Sequence, residues 1–368
     1  MKNCIAVFFF LLLLSCRNSK VSQTSATDPA IGYYGRTVLD KQDLILIGSA
    51  SYAEFSFTDD SCILYLRNIA AGDDYNYVVI ELDNNYSGRL KVEDHAPKPY
   101  IIRANAAAAS HVLRVYKATE SHNGQVALTG VKAAGLKAVP HPVRKKIEFI
   151  GNSITCGMGN DTKEIPCGTG KWYDQHNAYW AYGPRVARAL EADFMLSSVS
   201  GIGIYRNWNS NGPTMPEVYE SAYLEKDSLQ RWDFTRYVPD VVSICLGTND
   251  FSDGDGKSER LPFDSAIYIR RYVDFIGTLY RHYPAVQVAL LTSPMLSGQK
   301  AALLFTCLQQ VKAKVQERYP GKPEPAIFQF RPMVPKGCGY HPDSNDHAIL
   351  AGELAPFFRQ LLAPENGR

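Results

Sequence analysis

Lys146-Ile147-Glu148-Phe149-Ile150 runs straight into Gly151-Asn152-Ser153-Ile154-Thr155, and this stretch decides the fold. The first five residues are rich in apolar, strand-favouring side chains and end at Gly-Asn, a turn signal. A buried strand therefore feeds a tight turn that leaves Ser153 at its exit. Downstream, strand-like and helix-like runs alternate. Asn177–Glu191 has helical periodicity, Phe194–Val199 and Val241–Leu246 read as strands, and Asp264–His282 is an amphipathic helix. A strand at Val286–Leu291, a helix at Ala301–Tyr319, a strand at Ala326–Phe330 and a helix at His347–Leu362 complete the series. Such alternation predicts a parallel sheet covered on both faces, an α/β three-layer domain.

Upstream the pattern changes. Leu44–Ile47, Ala53–Phe57, Ile63–Leu66, Tyr77–Leu82 and His111–Tyr116 are short strands separated by Gly, Ser, Asp and Asn turns. Few helix patterns intervene, so this half reads as an all-β sandwich of jelly-roll type. Gly135–Lys145, with Pro140 and Pro142, is the natural boundary. The reading divides the 368 residues into a leader (1–15), a tether (16–29), a β-sandwich (30–140) and an α/β domain (141–368).

Met1–Cys16 carries one Lys before an apolar run from Ile5 to Leu14. That run is shorter than the ~20 residues a membrane-spanning helix needs, and suits the core of a signal peptide. Leu13-Leu14-Ser15-Cys16 resembles a bacterial lipobox, which implies cleavage that leaves Cys16 as a diacylated N-terminus. The expectation is an exported lipoprotein of a bacterial cell envelope, held to a membrane through that anchor; an ordinary secretion signal is the alternative. Of the remaining cysteines, Cys156 and Cys167 close a short loop and are the expected disulfide, while Cys245 lies in an apolar run and reads as a buried thiol. No Cys/His spacing suggests zinc, and neither a metal nor an organic cofactor is expected. A net charge of +2 without a long basic run argues against nucleic acid as a partner.

In open α/β sheets ligands bind beyond the carboxyl ends of strands. The residues there are Gly151-Asn152-Ser153, Ser200-Gly201-Ile202-Gly203, Gly247-Thr248-Asn249-Asp250 and, before the last helix, Gly339-Tyr340-His341-Pro342. Acyl transfer needs such a set: a Ser nucleophile, a neutral His to take and return its proton, and donors for an oxyanion. The Ser153 N–H, the Gly201 N–H and the Asn249 amide are the candidate donors. Singly, Ser153 could be a helix N-cap, Asn249 an Asx-turn residue and His341 a loop histidine. Their joint placement at strand ends argues for a site.

On these blocks, GNSITCGMG at 151–159, SGIGIYRN at 200–207, LGTND at 246–250 and GCGYHPDSNDHAILAGEL at 337–354, the chain resembles the SGNH (GDSL-type) hydrolases, and within them carbohydrate esterase family 2. The resemblance implies a jelly roll before the hydrolase domain, Ser153 as nucleophile, His341 as base, and an oxyanion hole of Ser153, Gly201 and Asn249. It implies an esterase removing acetyl groups from plant polysaccharides of xylan or mannan type. Two positions depart from the pattern. Asn152 replaces the usual Asp, and Gly339 stands where an Asp often precedes the catalytic His by two residues. A Ser–His dyad, with a main-chain carbonyl near Gly339–Tyr340 orienting the ring, is therefore expected. Asp343 and Asp346 follow His341 rather than precede it, and His347 is the competing histidine. Trp172, Tyr173, Tyr205 and Trp208 lie in nearby loops; Trp172, Tyr205 and Trp208 are candidate sugar-stacking residues, with core packing equally open for each. The alternatives are an esterase acting on another acylated glycan such as peptidoglycan, or a non-catalytic glycan-binding lipoprotein. The β-domain is expected to form one wall of the cleft.

Overall fold

The computed structural model describes residues 22–226, 228–257 and 259–363, so the leader, Cys16 and the start of the tether lie outside the described residues. The β-domain comprises β1 (Thr24–Ser25), β2 (Gly32–Tyr34), β3 (Thr37–Asp40), β4 (Asp43–Leu46), β5 (Tyr52–Phe57), β6 (Ser61–Ile69), β7 (Asn76–Leu82), β8 (Asn85–Val92), β9 (Lys98–Arg103), β10 (His111–Lys117) and β11 (Gln125–Lys132). They form two antiparallel sheets, ordered β3-β4-β11-β6-β9 and β2-β5-β10-β7-β8. Counted from β4 to β11, the strands pair first-eighth-third-sixth and second-seventh-fourth-fifth, the pairing of a jelly roll. In β6 buried and partly exposed residues alternate without a break, as one face packs on the core. Phe55, Leu64, Leu66, Val78, Leu113, Val115 and Leu128 fill the space between the sheets.

The tether is shorter than expected. Thr24 and Ser25 pair with Val131 and Gly130 of β11, and Ala26 is fully buried. Small polar residues at a sheet edge read as linker in composition, and only their pairing distinguishes them.

The second domain contains β12 (Lys146–Gly151), α1 (Ser153–Cys156), α2 (Tyr182–Ala189), β13 (Asp193–Ser198), α3 (Met215–Val218), β14 (Val241–Cys245), α4 (Ser265–His282), β15 (Gln287–Leu291), α5 (Gly298–Arg318), β16 (Ala326–Phe328) and α6 (Ser344–Leu362). The sheet order is β13-β12-β14-β15-β16, every pair parallel. Tyr268, Phe275 and Leu308 of α4 and α5 cover one face, and Tyr182 and Phe358 of α2 and α6 cover the other with Phe149. The helix expected over 177–191 is broken: a short 3-10 turn at Ala178–Trp180 precedes α2. From β12 the chain moves first to one side (β13), then to the other (β14). Loops leaving these three strands diverge there, which opens the crevice at their carboxyl ends. No helix among the described residues is long and apolar enough to cross a membrane.

The two domains share a packed interface. Tyr52, Tyr116 and Ala118 join the cluster that contains Phe149, Tyr179 and Phe194. Arg36, fully buried, donates to Ser197 Oγ (2.8 Å), Tyr219 O (2.9 Å) and Ser221 O (2.7 Å). Glu148 lies 3.9 Å from the same guanidinium. A buried cation is tolerable only when paired and hydrogen-bonded, and Arg36 meets both conditions.

Candidate active site

Ser153 opens α1 directly after β12. The preceding Asn152 caps the helix, its Oδ1 accepting the Ile154 N–H at 3.1 Å. Gly151 is required by close approach, because a Cβ there would fall 2.0 Å from Thr155 Oγ1. Ser153 is 7% exposed, its hydroxyl at the floor of the crevice.

His341 reaches the same point from the loop before α6. Its Nε2 lies 2.7 Å from Ser153 Oγ and its Nδ1 2.7 Å from the Gly339 carbonyl. Gly339 and Tyr340 both take left-handed backbone, at φ 60° and 61°, which curls the Gly339 carbonyl back onto the ring. With Nδ1–H donating to that carbonyl, Nε2 is free to accept the serine proton. Desolvation lowers the proton affinity of His341, while the Gly339 carbonyl and the charge of Glu120 oppose it. The imidazole is thus neutral near pH 7 and able to act as a base.

The other acids and the other histidine are occupied. Asp343 caps α6 through the Asn345 and Asp346 N–H groups, and Asp346 accepts from Lys336 N at 2.8 Å. His347 is fully buried, and its Nδ1 accepts the Tyr182 N–H. It is a core residue.

Gly201 follows β13 with φ +76°, and the position a Cβ would take is open. Backbone conformation demands glycine here, and the vacant space beside it belongs to the crevice. Asp250 braces this turn: its buried carboxylate accepts from the Ile204, Tyr205 and Arg206 N–H groups. Asn249 Nδ2 donates to Ile202 O at 2.8 Å, leaving its second N–H for another acceptor. The arrangement can pass a proton from Ser153 to His341, with preorganised donors on neighbouring strand ends.

Three expectations are corrected or narrowed. The disulfide joins Cys167 to Cys338, and Cys156 is a buried free thiol. Cys156 sits in α1 with its Sγ 2.9 Å from Glu120 Oε2, so short sequence separation misidentified the pair. The real bridge ties the 160s loop to the loop carrying His341. Tyr205 is not a platform: its ring packs on Phe263 and Tyr268, and its hydroxyl accepts the Asp264 N–H. Trp172 and Trp208 stay exposed, Trp172 edge-on to His176 and Trp208 anchored by its backbone N–H to Gly201 O. Sequence reasoning missed exposed Tyr340 and three side chains beside the crevice: His176, His122 and Glu120. The last two come from the β-domain, where no motif announces them.

Two family models match in order: carbohydrate esterase 2 N-terminal over residues 33–142, and GDSL-like lipase/acylhydrolase over residues 149–324. The second match stops before His341. An acetylxylan esterase / glucomannan deacetylase of Cellvibrio japonicus is 27% identical over 361 residues, spanning 95% of each chain. A second protein of that description from the same organism is 28% identical, covering 86% of this chain and 89% of its own. A family two carbohydrate esterase from Clostridium thermocellum, solved with cellohexaose, superposes with a TM-score of 0.79 at 28% identity, covering 90% of this chain and 99% of that one. The chain therefore belongs to carbohydrate esterase family 2, serine esterases of the GDSL-like (SGNH) hydrolases.

Proposed function

We propose that the protein removes O-acetyl groups from plant polysaccharides of xylan or mannan type by a Ser153–His341 dyad. The observation that carries this reading is the 2.7 Å contact between Ser153 Oγ and His341 Nε2, with Nδ1 held by a main-chain carbonyl. Ser153 attacks the acetyl carbonyl as His341 takes its proton. The Ser153 and Gly201 N–H groups and the free Asn249 N–H meet the oxyanion. His341 then protonates the departing sugar hydroxyl, and water releases acetate from the acyl-enzyme by the same route. One Asn249 amide hydrogen anchors the side chain to Ile202 O, which leaves the other to donate.

A cavity of 570 Å³ beside Gly201 has mixed walls: Ser200, Asn207, Asn209 and, from the β-domain, His122 stand beside Ile202 and Leu224. Polar groups interspersed with apolar ones suit a sugar ring, which presents both hydroxyl and C–H faces. The curated relatives, named for xylan and glucomannan deacetylation, support the substrate class. Exposed Trp172 and Trp208 offer faces for sugar stacking. We further propose that Cys16 is the lipid attachment point and that the enzyme works at a bacterial envelope membrane.

Acetate release from acetylated xylan, glucomannan and peptidoglycan tests the substrate, with 4-nitrophenyl acetate as reporter. Xylan or glucomannan is expected to lead the panel. Release from peptidoglycan alone would replace the reading, and full turnover by Ser153→Ala would remove the mechanism.

A further inference from the structure

Glu120 lies between β10 and β11 of the jelly roll, yet it is wholly buried. Its Oε2 accepts the Ser200 N–H at 2.7 Å and the Cys156 thiol at 2.9 Å. Ser200 precedes Gly201, and Cys156 ends the helix that Ser153 begins. One carboxylate oxygen from the other domain thus joins the turn bearing the nucleophile to the turn bearing an oxyanion donor. The second oxygen, Oε1, is buried without a hydrogen-bond partner. A half-satisfied buried carboxylate is costly, and packing alone would favour an apolar side chain.

The charged and titratable groups around Glu120 come from three elements. Lys117 of β10, buried, donates from Nζ to Glu120 O at 2.6 Å and to Thr119 O at 3.1 Å. Burial lowers its pKa to about 7 against the pull of Glu120. Cys156 of α1 is raised by burial and by Glu120, so it remains a thiol that donates. His341 comes from the loop before α6, and the Glu120 charge favours its protonated form. Beyond them, buried His176 is lowered by desolvation and by the charges of His341, Lys117 and Arg89.

We propose that Glu120 is a positioning residue of the hydrolytic site, holding the Ser200–Gly201 turn against the Ser153 helix and supplying the buried negative charge that Gly339, in place of an acid, does not. The β-domain is then part of the catalytic apparatus as well as a wall. During acyl transfer the imidazolium forms on His341, which contacts the Ser153 that opens the helix Glu120 holds through Cys156, and the Glu120 charge favours it without touching substrate. The inference rests on the Ser153–His341 reading.

The test is Glu120→Gln in the full chain, a near-isosteric change that removes the charge. With 4-nitrophenyl acetate, kcat is expected to fall ~10–10²-fold, the scale of a sub-ångström misplacement, with KM nearly unchanged. The acid limb of kcat/KM is expected at lower pH, because His341 loses a counter-charge. Lys117 responds to the same charge, so the His341 ring is also titrated by NMR, its signal assigned by its loss in His341→Ala; it should shift the same way. A purely structural anchor would leave both titrations in place and overturn the proposal, as would unchanged kcat. If Glu120→Gln fails to fold by circular dichroism, Glu120→Asp decides: it keeps the charge but withdraws the oxygen, so kcat falls while the acid limb stays. Unchanged kcat in Glu120→Asp would overturn the proposal. Ser153→Ala separates the two levels: turnover there sinks the site reading, whereas loss there with an unaffected Glu120→Gln sinks only the role of Glu120.

Discussion

The Ser153 turn and the His341 loop hold the two ends of one hydrogen bond, but by different means. The Ser153 turn is secured mostly from within. Asn152 caps Ile154, Gly151 admits Thr155, and Gly157 closes the helix with φ +76°, all within a few residues of a central strand. The 337–341 loop is secured from far away. Cys338 is bonded to Cys167 across 171 residues, and its N–H donates to Gly159 O at 2.9 Å. Ser344 N donates to Asn160 O. The 159–167 segment is thus a brace for the base, whereas the Ser153 helix has a distant tie in Glu120, through Cys156. The difference teaches where each half is vulnerable: the nucleophile to local changes, the base to the loss of distant ties.

The largest effect tests whether the two regions form one machine. Ser153→Ala and His341→Ala should each lower kcat on 4-nitrophenyl acetate by ~10⁴-fold or more, and the double variant little further, since paired residues are not additive. Additive losses would separate the regions. Next, Asn249→Ala should cost ~10²–10³ in kcat with KM little altered, the scale for one oxyanion donor. A change confined to KM would place Asn249 in binding instead.

Cys167→Ser attacks the brace. Loss of a disulfide closing so long a loop typically costs ~2–5 kcal/mol, so Tm should fall by several degrees. The His341 loop loosens, and kcat should fall about tenfold, while the Ser153 turn stays intact. A Tm change with full activity would show that the loop keeps its place unaided. The smallest effect is in pH. Neutral His341 is the active form and desolvation lowers its pKa, so activity is retained into mild acid and lost as pH drops through a value below the ordinary 6.5. An acid limb above 6.5 in the wild type would mean that a counter-charge outweighs desolvation at the ring.

Much of this was legible beforehand. The alternation of strands and helices after Pro140, the short strands before it, and the residues at the strand ends all follow from local patterns. The resemblance, with Gly339 where an Asp often stands, likewise implied a main-chain carbonyl as the acceptor for the imidazole. The tether boundary was not legible, since Thr24–Ser25 acquires strand character only from β11. Tyr205 looked like a platform because its loop adjoins the site, but Phe263 and Tyr268, from a later segment, claim its ring. The disulfide was misassigned because proximity along the chain is a poor guide to Cα separation across a folded sheet.

By itself the sequence determined the two domain types, the order of the strands along the chain and the candidacy of Ser153, Gly201, Asn249 and His341 for the site. Each is set by backbone preference or by the chemistry of a single side chain, and both are properties of short windows. The tertiary structure alone decided that Cys338 pairs with Cys167, that Asp343 and His347 are spent on a helix cap and the core, and that Glu120 crosses the domain interface to Ser200. The physical reason is common to all three: hydrogen bonds, disulfides and side-chain packing are short-range in space, and only the packing of the sheets and their helices determines which distant residues come within that range.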